Sequence, residues 1–130
     1  MKTKTISLIF GITFLAVGIL GFIPNPIVGD SDTALFHADK IHNIVHLVSG
    51  LLILIFGLFI PSFSRSFLKV FGVIYLLIGV LGFFQIGEAT DTTVLGFLHV
   101  NQADNFLHLF LGVTIFLAGV LTRDNLKTAV

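Results

Sequence analysis

Residues 9–22 read IFGITFLAVGILGF and residues 70–83 read VFGVIYLLIGVLGF. Seven of these fourteen paired positions are identical at an offset of 61, and most of the rest exchange one apolar residue for another. The correspondence continues at an offset of 62, with one extra residue in the second connection. There His37 matches His99, Asn43 matches Asn105, His46 matches His108, Gly50 matches Gly112 and Gly57 matches Gly119. The chain therefore reads as one helical hairpin written twice. Two spans return a chain to its starting side, so both copies share an orientation. A pseudo-two-fold axis along the membrane normal then relates them, as in parallel repeats. An inverted repeat needs an odd number of spans per copy, which argues against an alternating-access transporter.

Working outward, four apolar stretches cover roughly Ile6–Ile23, His42–Ile60, Phe67–Phe84 and Ala103–Leu121. Each is close to the ~20 residues that carry a helix across ~30 Å of hydrocarbon. They are continuous and rich in Leu, Phe, Ile and Gly, without the alternation of a strand, and in lipid a helix satisfies its own backbone. The expected fold is an all-α integral membrane domain of four transmembrane helices over residues 1–130, with repeat one at about 6–60 and repeat two at about 67–121. Composition agrees: 55% of the 130 residues are hydrophobic, 11% are charged and the mean hydropathy is +1.06. Soluble domains carry about 25% charged residues, and disordered chains are far less hydrophobic. The absence of cysteine excludes disulfides, thiolate metal sites and thiol catalysis. A formal net charge of zero leaves no nucleic-acid footprint.

Charge placement sets an expected topology. Lys2, Lys4, Arg65, Lys69, Arg123 and Lys127 fall at the amino terminus, in the middle loop or in the carboxyl tail. The other two loops hold Asp30, Asp32, Asp39, Glu88 and Asp91, with Asp104 at the mouth of the last span and Lys40 as their one basic residue. Positive-inside asymmetry then puts both termini in the cytoplasm. The first span follows Lys2 and Lys4 as a signal peptide would. It ends in Pro24-Asn25-Pro26 rather than a small-residue cleavage site, and its repeat partner is retained, so it is expected to stay.

Glycines recur at intervals of seven: Gly11/Gly18, Gly50/Gly57, Gly72/Gly79 and Gly112/Gly119. Such stripes let helix backbones approach closely in membranes, where packing replaces the hydrophobic effect. Matching depths in an antiparallel pair places Gly18 near Gly50 and Gly11 near Gly57.

The polar residues gather at the outer ends of the second and fourth spans. Asp39 and Asn101 are expected helix N-caps, with His42 and Asp104 three residues later in the capping-box place. At 100° per residue, Asn43, His46, Gly50 and Gly57 share one face, as do Asn105, His108, Gly112 and Gly119. A polar side chain at that depth faces the bundle interior.

Three readings of the cluster stand. In the leading one it is structural or mediates interaction, with His46 and His108 hydrogen-bonded to the Asn43/Asn105 pair, to a backbone carbonyl or to each other. In the second, His42, His46, Asp104 and His108 hold a divalent transition metal, or His46 and His108 are axial ligands of a haem. In the third, Asp104 and His108 relay protons, although nothing as polar continues down the spans. No nucleophile is positioned for hydrolysis, and Ser49 reads as a small packing residue, so the balance leans against an enzyme. Two loop pieces, Ala34–His37 and Val94–His99, read first as interfacial anchors and second as arms aiming His37 and His99 at the helix mouths. Tyr75, mid-span, needs an interior partner for its hydroxyl. The expected partners are the bilayer and, beyond it, a second copy or a membrane protein, and not nucleic acid.

The F-G and I/V-L-G-F segments of the odd spans, H-N-I-V-H-L at 42–47 and above all N-Q-A-D-N-F-L-H-L-F-L-G at 101–112 resemble a bacterial family of small four-helix membrane proteins, the DUF4383 domain of unknown function. The resemblance covers nearly the whole chain. It implies a bacterial inner-membrane protein and carries no activity, substrate or cofactor with it.

Overall fold

In the computed structural model, which describes residues 2–86 and 91–123, four helices are each long and apolar enough to cross a membrane. They are α1 (Thr3–Leu20), α2 (Lys40–Phe59), α3 (Pro61–Ile86) and α4 (Gln102–Leu121). Short strands lie in the two connections at one end: β1 (Val28–Gly29) and β2 (Phe36–His37), then β3 (Asp91–Val94) and β4 (Leu98–Asn101). Glu88 and Lys127, which enter the charge argument, lie outside the described residues.

The expected middle loop carrying Arg65 and Lys69 does not exist. Ile60 alone separates α2 from α3, and both cations lie on α3. Pro61 explains the difference. At the first helical position its fixed φ suits the helix and its missing N–H costs nothing, while Ile60 before it is held out of the helical region at φ −128°, ψ 59°. Hydropathy marks where hydrocarbon begins, not where a helix does. At the far end of α1, the Asn25 side chain organises the turn: Nδ2 donates to Leu20, Ile23 and Val28 carbonyls, and Oδ1 accepts from Ile27 and Val28 N–H.

α1 packs antiparallel on α2, and α3 on α4, through backbone contact. At Gly50 an added methyl would sit 2.8 Å from both the Gly11 carbonyl and the Leu15 amide; at Gly112 it would meet the Leu76 amide at 2.5 Å and the Gly72 carbonyl at 2.9 Å. The register departs from the expected depth match. Gly11 faces Gly50, Gly18 faces the Asn43 carbonyl and Gly57 faces Ser7. The reason lies at the helix ends: Gly11 is nine residues before Leu20 and Gly50 ten after Lys40, which puts them level.

The second hairpin repeats the shift. Gly72 is level with Gly112, so Gly79, two turns further along α3, passes beyond the glycines of α4. A methyl at Gly79 would lie 3.0 Å from the Asn105 carbonyl and 3.0 Å from the Leu109 side chain, as one at Gly18 would meet the Asn43 carbonyl. Gly79 is thus a buried packing glycine whose opposite number is an asparagine backbone rather than another glycine. At the other end of the stripe, Gly119 faces the Arg65 carbonyl and the Lys69 amide.

Between the two hairpins lies a core of Phe14, Ile53, Leu68, Phe71, Tyr75 and Ile115, with the Phe14 and Tyr75 rings edge-on at 5.1 Å. At the end opposite the strands, Ser7 and Ser64 hydroxyls pair at 3.4 Å. Arg65 donates to the Gly119 and Val120 carbonyls at the end of α4, where a cation also meets the negative end of the helix dipole.

The two loop pieces fold over one end of the bundle as a lid that leaves Leu35, Leu95 and Phe97 exposed. β1 and β2 pair in parallel and β3 and β4 antiparallel, with Val94, Leu98 and Val100 buried against Ile78. Outside, the bundle is apolar: only 28–39% of each span is buried inside, and Phe84, Phe106 and Phe110 are 83%, 61% and 65% exposed.

Candidate metal centre

Helix caps set the phase of the polar residues. Asp39 accepts from the His42 amide at 2.8 Å. At the start of α4 a complete capping box forms, with Asn101 Oδ1 accepting from the Asp104 amide and Asp104 Oδ2 from the Asn101 amide. Starting at Lys40 and Gln102, the helices turn His42, His46 and His108 inward, and all three are buried.

These three imidazoles converge. One ring nitrogen from each lies within 4.8 Å of the other two. The ring centroids are 4.6 Å apart for His42–His46, 5.4 Å for His42–His108 and 6.4 Å for His46–His108. Aromatic edges close the sides, Phe14 against His46 at 5.8 Å and Tyr75 against His108 at 5.5 Å.

Hydrogen bonding around the trio is uneven. His42 Nδ1 lies 2.7 Å from the His99 carbonyl. A carbonyl only accepts, so Nδ1 carries the proton, and in the neutral ring Nε2 keeps its lone pair. Both His46 nitrogens and His108 Nδ1 are buried without a hydrogen-bond partner. Each such group costs about 1–3 kcal/mol if nothing satisfies it. The expected bonds from His46 and His108 to the asparagines are absent among the described residues. Asn43 Nδ2 donates instead to the Ala38 carbonyl, and the Asn105 amide is fully buried with neither atom bonded.

Asp104 is not brought into the trio. Its Oδ2 accepts from two backbone amides, Asn101 at 2.8 Å and His37 at 3.0 Å. The loop histidines stack on each other at 4.2 Å, and His37 Nε2 lies 3.4 Å from Asp30 Oδ1. Helix and lid are thus cross-tied: α4 holds the lid segment of the first connection through Asp104, and α2 holds that of the second through His42.

Two residues escaped the sequence reading. A methyl group at Gly21 would overlap the Asn43 amide, and one at Gly82 the Asn105 amide. The signal was present, because both glycines are identical between the repeats.

The family model described as "Domain of unknown function (DUF4383)" matches residues 4–121, from the first helix to the last. The chain belongs to that family. Among curated proteins and among solved structures, nothing matches it. In this DUF4383 chain the histidine trio is therefore read on its own geometry. The space beside His46 is a cavity of about 70 Å3 walled by Thr13, Phe14, Val17, Leu107 and Leu111. Sites for drug-sized ligands take roughly 300–1,000 Å3, so these residues do not fit a haem, whereas a single ion needs no more room than the imidazoles leave.

Proposed function

We propose that this DUF4383 chain is a non-enzymatic, multi-pass protein of the bacterial inner membrane, with both termini cytoplasmic, that holds one transition-metal ion on His42, His46 and His108. Membrane insertion is supported by the bundle's exterior, since soluble monomers rarely expose apolar patches beyond a few hundred Å2. An internal duplication is supported by the way equivalent residues meet or mirror each other, as His37 and His99 do by stacking.

The observation that carries the metal reading is the convergence of three buried imidazoles, one of which has no hydrogen-bond partner on either nitrogen. Ligands at ~2.0–2.1 Å from one ion lie at most ~4 Å apart, so side-chain shifts of under about one ångström gather all three. His42 has the outer partner that metal-bound imidazoles have, a backbone carbonyl taking the other ring proton. The ion would replace the missing hydrogen bonds and draw the hairpins together.

A purely structural cluster is the second reading, favoured by the tie from His42 to the lid. Metal content and a visible spectrum of the purified protein separate the readings. We expect a stoichiometric metal that is lost in His46→Ala, and no Soret band. A Soret band would restore the haem reading. A colourless, metal-free protein whose His46→Ala and His108→Ala variants are merely less thermostable would leave the structural one.

A further inference from the structure

We infer that the ion is monovalent copper, held in three-coordinate form by His42, His46 and His108; this rests on the reading of the trio as a metal site. Two features of the surroundings select it.

The first is charge. All three ligands are neutral imidazoles, and no negative side chain is free to join them from the acids whose surroundings are described. Asp104 Oδ2 is held by the Asn101 and His37 amides, Asp39 caps α2, and Asp30 and Asp32 are exposed. The cost of burying an ion rises with the square of its charge, so a divalent ion here costs about four times as much to desolvate as a monovalent one. Zinc and cupric copper both carry the larger penalty with no anionic ligand to offset it.

The second is the missing fourth ligand. A three-histidine zinc site completes its tetrahedron with water or hydroxide, and cupric copper favours a tetragonal set of nitrogen and oxygen donors. The cavity beside His46 is walled by Phe14, Val17, Leu107 and Leu111, and the Thr13 hydroxyl there donates to the Ile9 carbonyl. A buried water needs two to four polar partners, and this wall offers none beyond the imidazole. Cuprous copper accepts trigonal nitrogen donation and needs no fourth ligand.

The test uses full-length protein in detergent, incubated separately with zinc, with cupric copper, and with copper under ascorbate against a chromogenic cuprous chelator, then desalted. We expect about one copper per chain under ascorbate, with zinc and cupric copper retained at least tenfold less. His46→Ala and His108→Gln should each cut copper retention by about 10–100-fold or more, the loss seen even when an outer-shell partner is removed. X-ray absorption of the wild-type sample should report three imidazole nitrogens around cuprous copper, a readout that does not depend on how the variants fold. Stoichiometric zinc that is lost in His46→Ala would overturn the choice of copper and leave the metal site standing. Retention of neither metal would overturn the site itself. Copper that both variants keep, or that absorption places on other ligands, would overturn the assignment.

Discussion

The Tyr75 hydroxyl and the Ser49 hydroxyl are hydrogen-bonded to each other at 3.2 Å, in the middle of an otherwise apolar core. The repeat counterpart of Tyr75 is Phe14 and that of Ser49 is Leu111, so a polar pair that takes one residue from each half is matched by an apolar pair that does the same. Both changes come together because a buried hydroxyl without a partner is costly while a bonded pair is nearly neutral. Tyr75→Phe should therefore destabilise by about 1–2 kcal/mol and Ser49→Leu by at least as much. The double variant Ser49→Leu/Tyr75→Phe should be less destabilised than the sum. A double-mutant cycle by thermal unfolding in detergent measures the coupling, and strict additivity would contradict it.

Asp104 is tied to the lid and lies outside the histidine trio. Asp104→Ala should cost about 1–2 kcal/mol through loss of the capping box, and it should also loosen the lid segment at His37, detectable as faster amide exchange there. Asp104→Asn keeps one carbonyl oxygen as acceptor and should recover part of that stability. Metal retention should be unchanged in Asp104→Asn; a tenfold fall would return Asp104 to the ligand set.

Glycine substitutions should divide by what they strike. A methyl at Gly72 meets the Phe116 amide and the Gly112 carbonyl, which are backbone and cannot step aside. Gly72→Ala should cost about 1–3 kcal/mol, the usual range for overpacking. The three atoms nearest a methyl at Gly82 all belong to the Asn105 side chain. Gly82→Ala should be comparably harmful alone and largely rescued by Asn105→Ala, with thermal midpoints as the measure.

The turn between β3 and β4 places Leu95 at φ +56° and Gly96 at φ +78°, both in the left-handed region. Gly96 suits it; Leu95, 56% exposed, gains little packing there. Leu95→Asn, creating the Asn-Gly pair that such hairpins favour, should stabilise by about 1 kcal/mol.

Topology is tested by Val130→Cys. In intact cells an impermeant thiol reagent should leave it unlabelled and should label it after permeabilisation, as a cytoplasmic carboxyl terminus requires.

The parts of the fold written in local pattern were legible. Continuous apolar runs disclosed four helices, and Asp39 and Asn101 marked where α2 and α4 begin. Hydropathy alone hid the start of α3, because Ser62, Arg65, Ser66 and Lys69 look like a loop while Pro61 in fact opens a helix. Seven-residue glycine spacing disclosed the packing faces but not their register, which depends on where α1 stops; hence Gly18 and Gly79 meet asparagine carbonyls instead of glycines. At the site, i, i+4 spacing put His42 and His46 on one face, and the repeat pointed to His108. That Asp104 binds two backbone amides could not be read, since one of them belongs to His37, sixty-seven residues away.

The crossed ties from Asp104 to the His37 amide and from His42 to the His99 carbonyl have a consequence for biogenesis. Neither half is finished by its own residues, so the first hairpin leaves the ribosome with its lid unsecured and waits for the second. If the two halves descend from a single-hairpin ancestor, that ancestor worked as a homodimer exchanging the same straps between subunits. Severing today's chain near Ile60 should accordingly yield two fragments that are each degraded when made singly and survive only when produced together.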